Sequence, residues 1–206
     1  MPESALDELD AVAAAARGCT ICAAHLPLGP RPILRVSRTA RVLIASQAPG
    51  TRAHMSGLPF DDASGDRLRA WLAMPSEVFY DATRIAIMPM GMCYPGRLPN
   101  GGDAPPRSEC APLWRGRVLK LLTGVRLTLL VGTYSLAHTL GRGTMTGHVR
   151  NYADHLAGGV FPLPHPSWRT GGWERRNPWF TEDVIPALRR AVAAALDGAP
   201  VSPPPG

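Results

Sequence analysis

A chain of 206 residues has room for one α/β domain with a sizeable core and not for two large ones. Its hydrophobic fraction of 45% is that of a globular protein, and no apolar run approaches the roughly 18 residues of a membrane span, which excludes an integral helical membrane protein. The formal net charge of +6, from 22 Lys and Arg against 16 Asp and Glu, is carried nearly all by arginine, whose forked contacts suit phosphate; such a composition also follows from genomic base bias, so a site must support it.

Met1-Pro2-Glu3-Ser4 has no basic segment leading into an apolar one, so a cytoplasmic protein is the expectation. Ser4, with Asp7 three residues on, opens a helix that the alanines sustain to Gly18 and that delivers Cys19 and Cys22. Pro27, Pro30 and Pro32 make an extended connector. Arg41–Ser46 is an apolar run without polar alternation, as expected of a parallel strand buried on both faces, and it stops at Gln47-Ala48-Pro49-Gly50.

Met55–Gly65 is expected to be a loop, with Ser64 capping a helix over Asp66–Leu72. Phe60 on that loop is either a core plug or something less ordinary, and Asp61 and Asp62 are either solvated or at the helix start. Arg84–Pro89 is a second buried strand, followed by Met90-Gly91-Met92-Cys93. Tyr94–Arg107 is a long Gly- and Pro-rich loop, of a kind usually kept for function or ligation, and Cys110 begins a helix over Ala111–Leu122.

Leu127–Gly132 is a third buried strand, with a short helix from Tyr134 to about Leu140. Gly141–Gly159 is ambiguous, with His148 and His155 expected at the surface. A fourth strand, Gly159–Leu163, leads to His165-Pro166-Ser167-Trp168-Arg169-Thr170-Gly171-Gly172-Trp173, expected to be a loop. Asn177–Phe180 leads into a helix capped by Thr181, with Glu182 and Asp183 complementing its dipole and Pro186 as a source of kinking or delay. Residues 1–197 form the expected domain, and Gly198–Gly206 a disordered proline-rich tail.

Four buried strands separated by helices make a single-domain central parallel four-stranded sheet with helices on both faces. Strand-end segments at Gln47, Met88–Met92 and His165 should then converge on the carboxyl edge, where open α/β folds place their ligands. The cysteines are spaced C-x2-C, then 70 residues, then C-x16-C. Without an export signal, Cys19, Cys22, Cys93 and Cys110 point to a metal or cluster, or else to buried reduced thiols.

Gln47-Ala48-Pro49-Gly50, the Pro59-Phe60 loop and His165-Pro166-Ser167, in that order, resemble the motifs of the uracil-DNA glycosylase superfamily over roughly residues 19 to 190. The cysteines resemble those of its iron–sulfur branch, families 4 and 5. The resemblance implies a monofunctional DNA repair glycosylase that flips out uracil, or another deaminated base, and hydrolyses its N-glycosidic bond. It implies that His165 donates to the leaving base, that Gln47, Ala48, Met88 and Pro89 contact the base, and that Phe60 stacks on it. Asp62, in a stretch similar to the Asp-Ala-Ser-Gly of family 5, is the implied catalytic acid, with Asp61 in reserve. Ser167, Trp168 and Arg169 would enter the minor groove as a wedge, with Arg175 and Arg176 on phosphates, while Trp173 and Trp179 fit packing roles equally well. Cys19, Cys22, Cys93 and Cys110 would hold a structural [4Fe-4S] cluster, zinc or a metal-free fold being the alternatives.

Two departures from the family pattern bear on chemistry. Ala48 stands where the best-known branch has its water-positioning aspartate, and Pro89 where family 4 has an asparagine that reads uracil, so a wider range of deaminated bases is expected. Expected partners are double-stranded and single-stranded DNA containing deaminated bases, with no membrane and a monomeric protein. Alternative readings are a module that grips damaged or abasic DNA without turnover, and an iron–sulfur protein acting on nucleotides.

Overall fold

The computed structural model describes residues 3–99 and 101–201. Its strands are β1 (Val42–Ala45), β2 (Ile85–Ile87), β3 (Arg97–Leu98), β4 (Gly102–Asp103), β5 (Leu127–Val131) and β6 (Val160–Leu163). The main sheet has the order β2-β1-β5-β6, with all neighbours parallel, and β3 and β4 form a small antiparallel hairpin.

Strand alternation sends successive side chains into two apolar layers. Val42, Ile44, Ile85, Ile87, Leu127, Leu129 and Phe161 enter one cluster, and Leu43, Ala86 and Met88 the opposite one. The sheet's outer strands are protected differently. Arg35 pairs antiparallel with Ile87, donating to and accepting from it at 2.9 and 2.7 Å, which covers the free side of β2. On the other edge β6 carries Pro162, a residue tolerated where no further strand needs its N–H.

The helices are α1 (Glu3–Arg17), α2 (Thr51–Ser56), α3 (Ala63–Leu72), α4 (Ser76–Phe79), α5 (Gly116–Leu119), α6 (Thr133–Leu140), α7 (Met145–Arg150), α8 (Tyr152–Leu156), α9 (Thr170–Arg176) and α10 (Ile185–Asp197). Leu9, Ala13 and Ala16 make the buried stripe of α1, and with α5 it covers the Leu43 and Met88 face. On the other face α10 buries Ile185, Leu188, Ala191, Val192 and Ala195, the period of a one-sided helix. Among the described residues no helix is long and apolar enough to cross a membrane.

Several local expectations give way to the tertiary structure. α3 begins at Ala63, and its cap is Asp62, whose Oδ1 accepts the Gly65 N–H at 2.9 Å, not Ser64. The long loop after Cys93 contains the β3–β4 hairpin. The segment after His165 is largely α9, so only its first residues form a turn. The helix expected from Ala111 opens with a π-helical turn over Ala111–Arg115. A second π turn, Phe180–Val184, precedes α10 and replaces the expected Thr181 cap. Pro186 falls in the first turn of α10, directly after the π turn, so the regular α-helix starts at Ile185, later than Thr181, the delay being one of the two effects expected of the proline.

The ambiguous stretch resolves into α7 and α8. His148 and His155 there are half-buried and face each other, Nδ1 to Nε2 at 3.4 Å, rather than lying at the surface. Gly198 caps α10 in the left-handed conformation. Residues 199–201 have no regular structure, and the expected disorder of the last five residues lies outside the described residues.

Candidate active site

The ends of β1, β2 and β6 open onto one small, partly open cavity. Ala48, Pro49 and Gly50 line it from β1, Pro89 from β2 and His165 from β6. The loop before α3 adds Phe60 and Asp62, and the hairpin adds Asp103.

His165 is fixed from behind. Its carbonyl accepts the Ser167 N–H at 2.8 Å and the Thr170 hydroxyl, and its ring packs on Gly132. Gly132 has φ +87°, a conformation that favours glycine, and a Cβ there would crowd the His165 side chain, 3.3 Å from its Cβ and 3.4 Å from its Cδ2. Among the described residues nothing hydrogen-bonds a ring nitrogen of His165. Burial lowers its pKa below the ordinary histidine value, and the carboxylates of Asp62 and Asp103 oppose that shift without cancelling it. At neutral pH the ring is an uncharged donor.

Phe60 is held in a strained conformation, with φ +59° for a non-glycine residue, which costs about 1–3 kcal/mol. Its carbonyl accepts the Tyr80 hydroxyl at 3.0 Å, Tyr80 is in turn reached by Arg69 at 2.9 Å, and its ring meets Phe79 edge-on at 6.0 Å. Phe60 is thus both a core residue and a wall of the cavity.

The remaining residues singled out from sequence fall into three groups. Met88 is 1% exposed in the cluster beneath α1 and α5 and forms no part of the cavity wall, because strand alternation turns it with Ala86 away from the face that Ile85 and Ile87 share. Gln47 turns its side chain to the Ala104 carbonyl at 3.3 Å, so it anchors the loop that carries the hairpin rather than lining the cavity. Asp61 is half-buried beside Asp62 and outside the wall.

Beyond His165, Trp168 is 81% exposed, and the Arg169 guanidinium lies over its ring at 5.3 Å. Arg169 also donates to the Gly101 carbonyl at 2.6 Å, tying this turn to the hairpin. Arg175 and Arg176 are exposed at the end of α9. Trp173 donates to the Thr146 hydroxyl at 2.8 Å and packs edge-on against Trp179 and Phe180, in the packing role. Arg67, which sequence reasoning passed over, holds this segment by donating to the Ser167 carbonyl at 3.1 Å and pairing with Glu174 at 2.7 Å. Asp103 was passed over as well.

Cys19, Cys22, Cys93 and Cys110 line a second cavity, walled by Leu26, Pro32, Leu113 and Trp114. Burial pushes the Cys110 thiol up to about 11 and raises Cys93 too. Hydrogen-bond donors nevertheless face the sulfurs: the Met92 N–H reaches Cys110 at 3.4 Å, the Arg31 backbone faces Cys93, and the Arg107 side chain faces Cys22. Among the described residues no three His, Cys, Asp or Glu side chains converge tightly enough for a single metal ion.

A family model described as Uracil DNA glycosylase superfamily matches residues 35–189. The matched span holds the whole main sheet and all the residues named for the cavity around His165, and begins after Cys19 and Cys22.

Proposed function

The chain belongs to the uracil DNA glycosylase superfamily, and we propose that it hydrolyses the N-glycosidic bond of a deaminated base flipped out of DNA, leaving an abasic site. The observation that carries this reading is His165: an uncharged imidazole with no partner on its ring among the described residues, set in a cavity with Phe60 and two carboxylates. Breaking the bond leaves negative charge on the departing base and positive charge on the sugar. A neutral ring N–H from His165 meets the first, and the carboxylates suit the second. The exposed Trp168, Arg175 and Arg176 support contact with a duplex beside the cavity.

Selectivity is proposed to be broad. Pro89 offers no amide to the base edge, and the polar side chains on the wall are serines, carboxylates and His165. Purified protein incubated with duplexes differing only in one base should release uracil, hypoxanthine and xanthine at comparable rates, as read by alkaline cleavage. Strong release of uracil alone defeats the breadth, and tight binding without release of any base favours a damage-binding module instead.

We further propose that Cys19, Cys22, Cys93 and Cys110 hold a [4Fe-4S] cluster. The four thiols share one apolar cavity, with donors facing three of the sulfurs. A zinc ion, with Zn–S bonds of about 2.3 Å, would need its sulfurs gathered at one point, whereas a cluster offers each sulfur its own iron. The cluster would supply the positive charge that lets buried thiols ionise and would tie α1 to both ends of the 94–109 segment. Anaerobically purified protein is expected to carry iron and broad visible absorption, both lost in Cys22→Ser; zinc in their place would overturn the assignment.

A further inference from the structure

We propose that Asp103, carried on the β3–β4 hairpin, is the carboxylate that accepts a proton from the attacking water, and that Arg169 is the positioning residue that sets the hairpin over the cavity. This rests on the glycosylase reading above.

Two carboxylates reach the cavity, both beside Gly50. A Cβ built on Gly50 would lie 3.4 Å from Asp62 Oδ2 and 3.8 Å from Asp103 Oδ2. Their surroundings differ. Asp62 already has a structural task, its Oδ1 being taken by the Gly65 N–H at the start of α3. Asp103 has none: among the described residues no donor reaches its carboxylate, and its strand is two residues long. Asp103 is exposed, so water satisfies it in the free protein, but it lines the same cavity as His165 and lies close enough to oppose the lowering of that ring's pKa, which leaves its carboxylate free for a ligand.

The hairpin itself is fastened from both sides. The Ala104 N–H donates to the Gly96 carbonyl at 2.8 Å, closing its base, and Gln47 holds the Ala104 carbonyl. At the tip the Arg169 guanidinium donates to the Gly101 carbonyl at 2.6 Å and lies against Gly102. Asp103 is thereby held between Gln47 of the first motif and Arg169 of the segment after His165.

The water step balances as follows. The water oxygen bonds to the sugar C1′ as the C1′–N bond breaks, with its electron pair leaving on the base. Asp103 takes one water proton, the other stays on the new hydroxyl, and the base anion, held by His165, takes a proton from solvent.

Single-turnover release of the preferred base tests the assignment. Asp103→Asn should be slower by about 10²-fold with duplex binding unchanged, in the range of a general base. Asp62→Asn should lose less than Asp103→Asn and keep its melting temperature, because asparagine caps a helix as well as aspartate does. Arg169→Ala should slow release, Arg169→Lys should restore part of it, and the double variant with Asp103→Asn should be no slower than Asp103→Asn alone, the signature of residues acting in one chain. Wild-type rates in Asp103→Asn, a larger loss in Asp62→Asn, or additive losses with Arg169→Ala would overturn the proposal while the glycosylase reading stands. A wild-type protein that releases no base overturns that reading and the water step together. An NMR titration then reports separately on the placement: His165 should titrate at lower pH in Asp103→Asn, and an unchanged titration means that the carboxylate does not face it.

Discussion

Replacing His165 by alanine is expected to slow base release by about 10²–10³-fold, the loss found when one donor to a developing anion is removed. Among the described residues the ring has no partner to leave stranded, and its fixed elements are the backbone carbonyl and the packing on Gly132, so melting should change little. A rate within tenfold of wild type would remove His165 from the chemistry. The pH dependence has a defined sign. The folded-state pKa lies below the ordinary 6.5, so folding favours the unprotonated ring. The contribution of this group to stability is therefore complete above pH 6.5 and is lost as pH falls from there toward the depressed value. Release governed by the neutral donor should stay level through pH 6.5 and change only below it. His165→Ala should lose the part of that change that follows the imidazole and keep any fall at lower pH that belongs to the carboxylates.

Gly65→Ala is expected to be the most damaging small substitution near the site. On helix propensity alone, alanine in α3 would gain about 1 kcal/mol over glycine. The space forbids it: a Cβ there overlaps the Phe60 carbonyl oxygen and lies 2.7 Å from the Phe60 carbonyl carbon and 2.8 Å from its Cβ. Overpacking costs about 1–3 kcal/mol even where side chains can yield, and here backbone must move. The moving residue is already strained at positive φ and is held by Tyr80. A melting temperature lowered by several degrees is expected, together with loss of base release in the fraction that folds. Differential scanning calorimetry decides it, and a variant more stable than wild type would show that Phe60 shifts freely.

The strands were legible because a parallel strand covered on both faces must be apolar at every position, as Val42–Ala45 and Leu127–Val131 nearly are. His165 was legible for a related reason, since a strand end at the carboxyl edge of such a sheet faces the ligand side. The same alternation that formed the sheet shows why Met88 belongs to the core: it shares a face with Ala86. Asp62 and Ser64 compete as caps two residues apart, and only the Gly65 N–H decides between them. Asp103 was hidden because its hairpin has no periodicity; its position depends on Gln47 and Arg169, 56 residues before it and 66 after it in the chain. Arg67 was hidden likewise, its partners Ser167 and Glu174 lying about a hundred residues on.

The fastening of the hairpin has a kinetic meaning. Many enzymes assemble their last acidic group by closing a loop over bound substrate, and that motion then limits turnover. Here the arm bearing Asp103 is closed at its base by Gly96 and Ala104 and pinned at its tip by Arg169 before any ligand arrives. On the proposed reading this arm has no lid to shut, so its closure adds no step between encounter and chemistry.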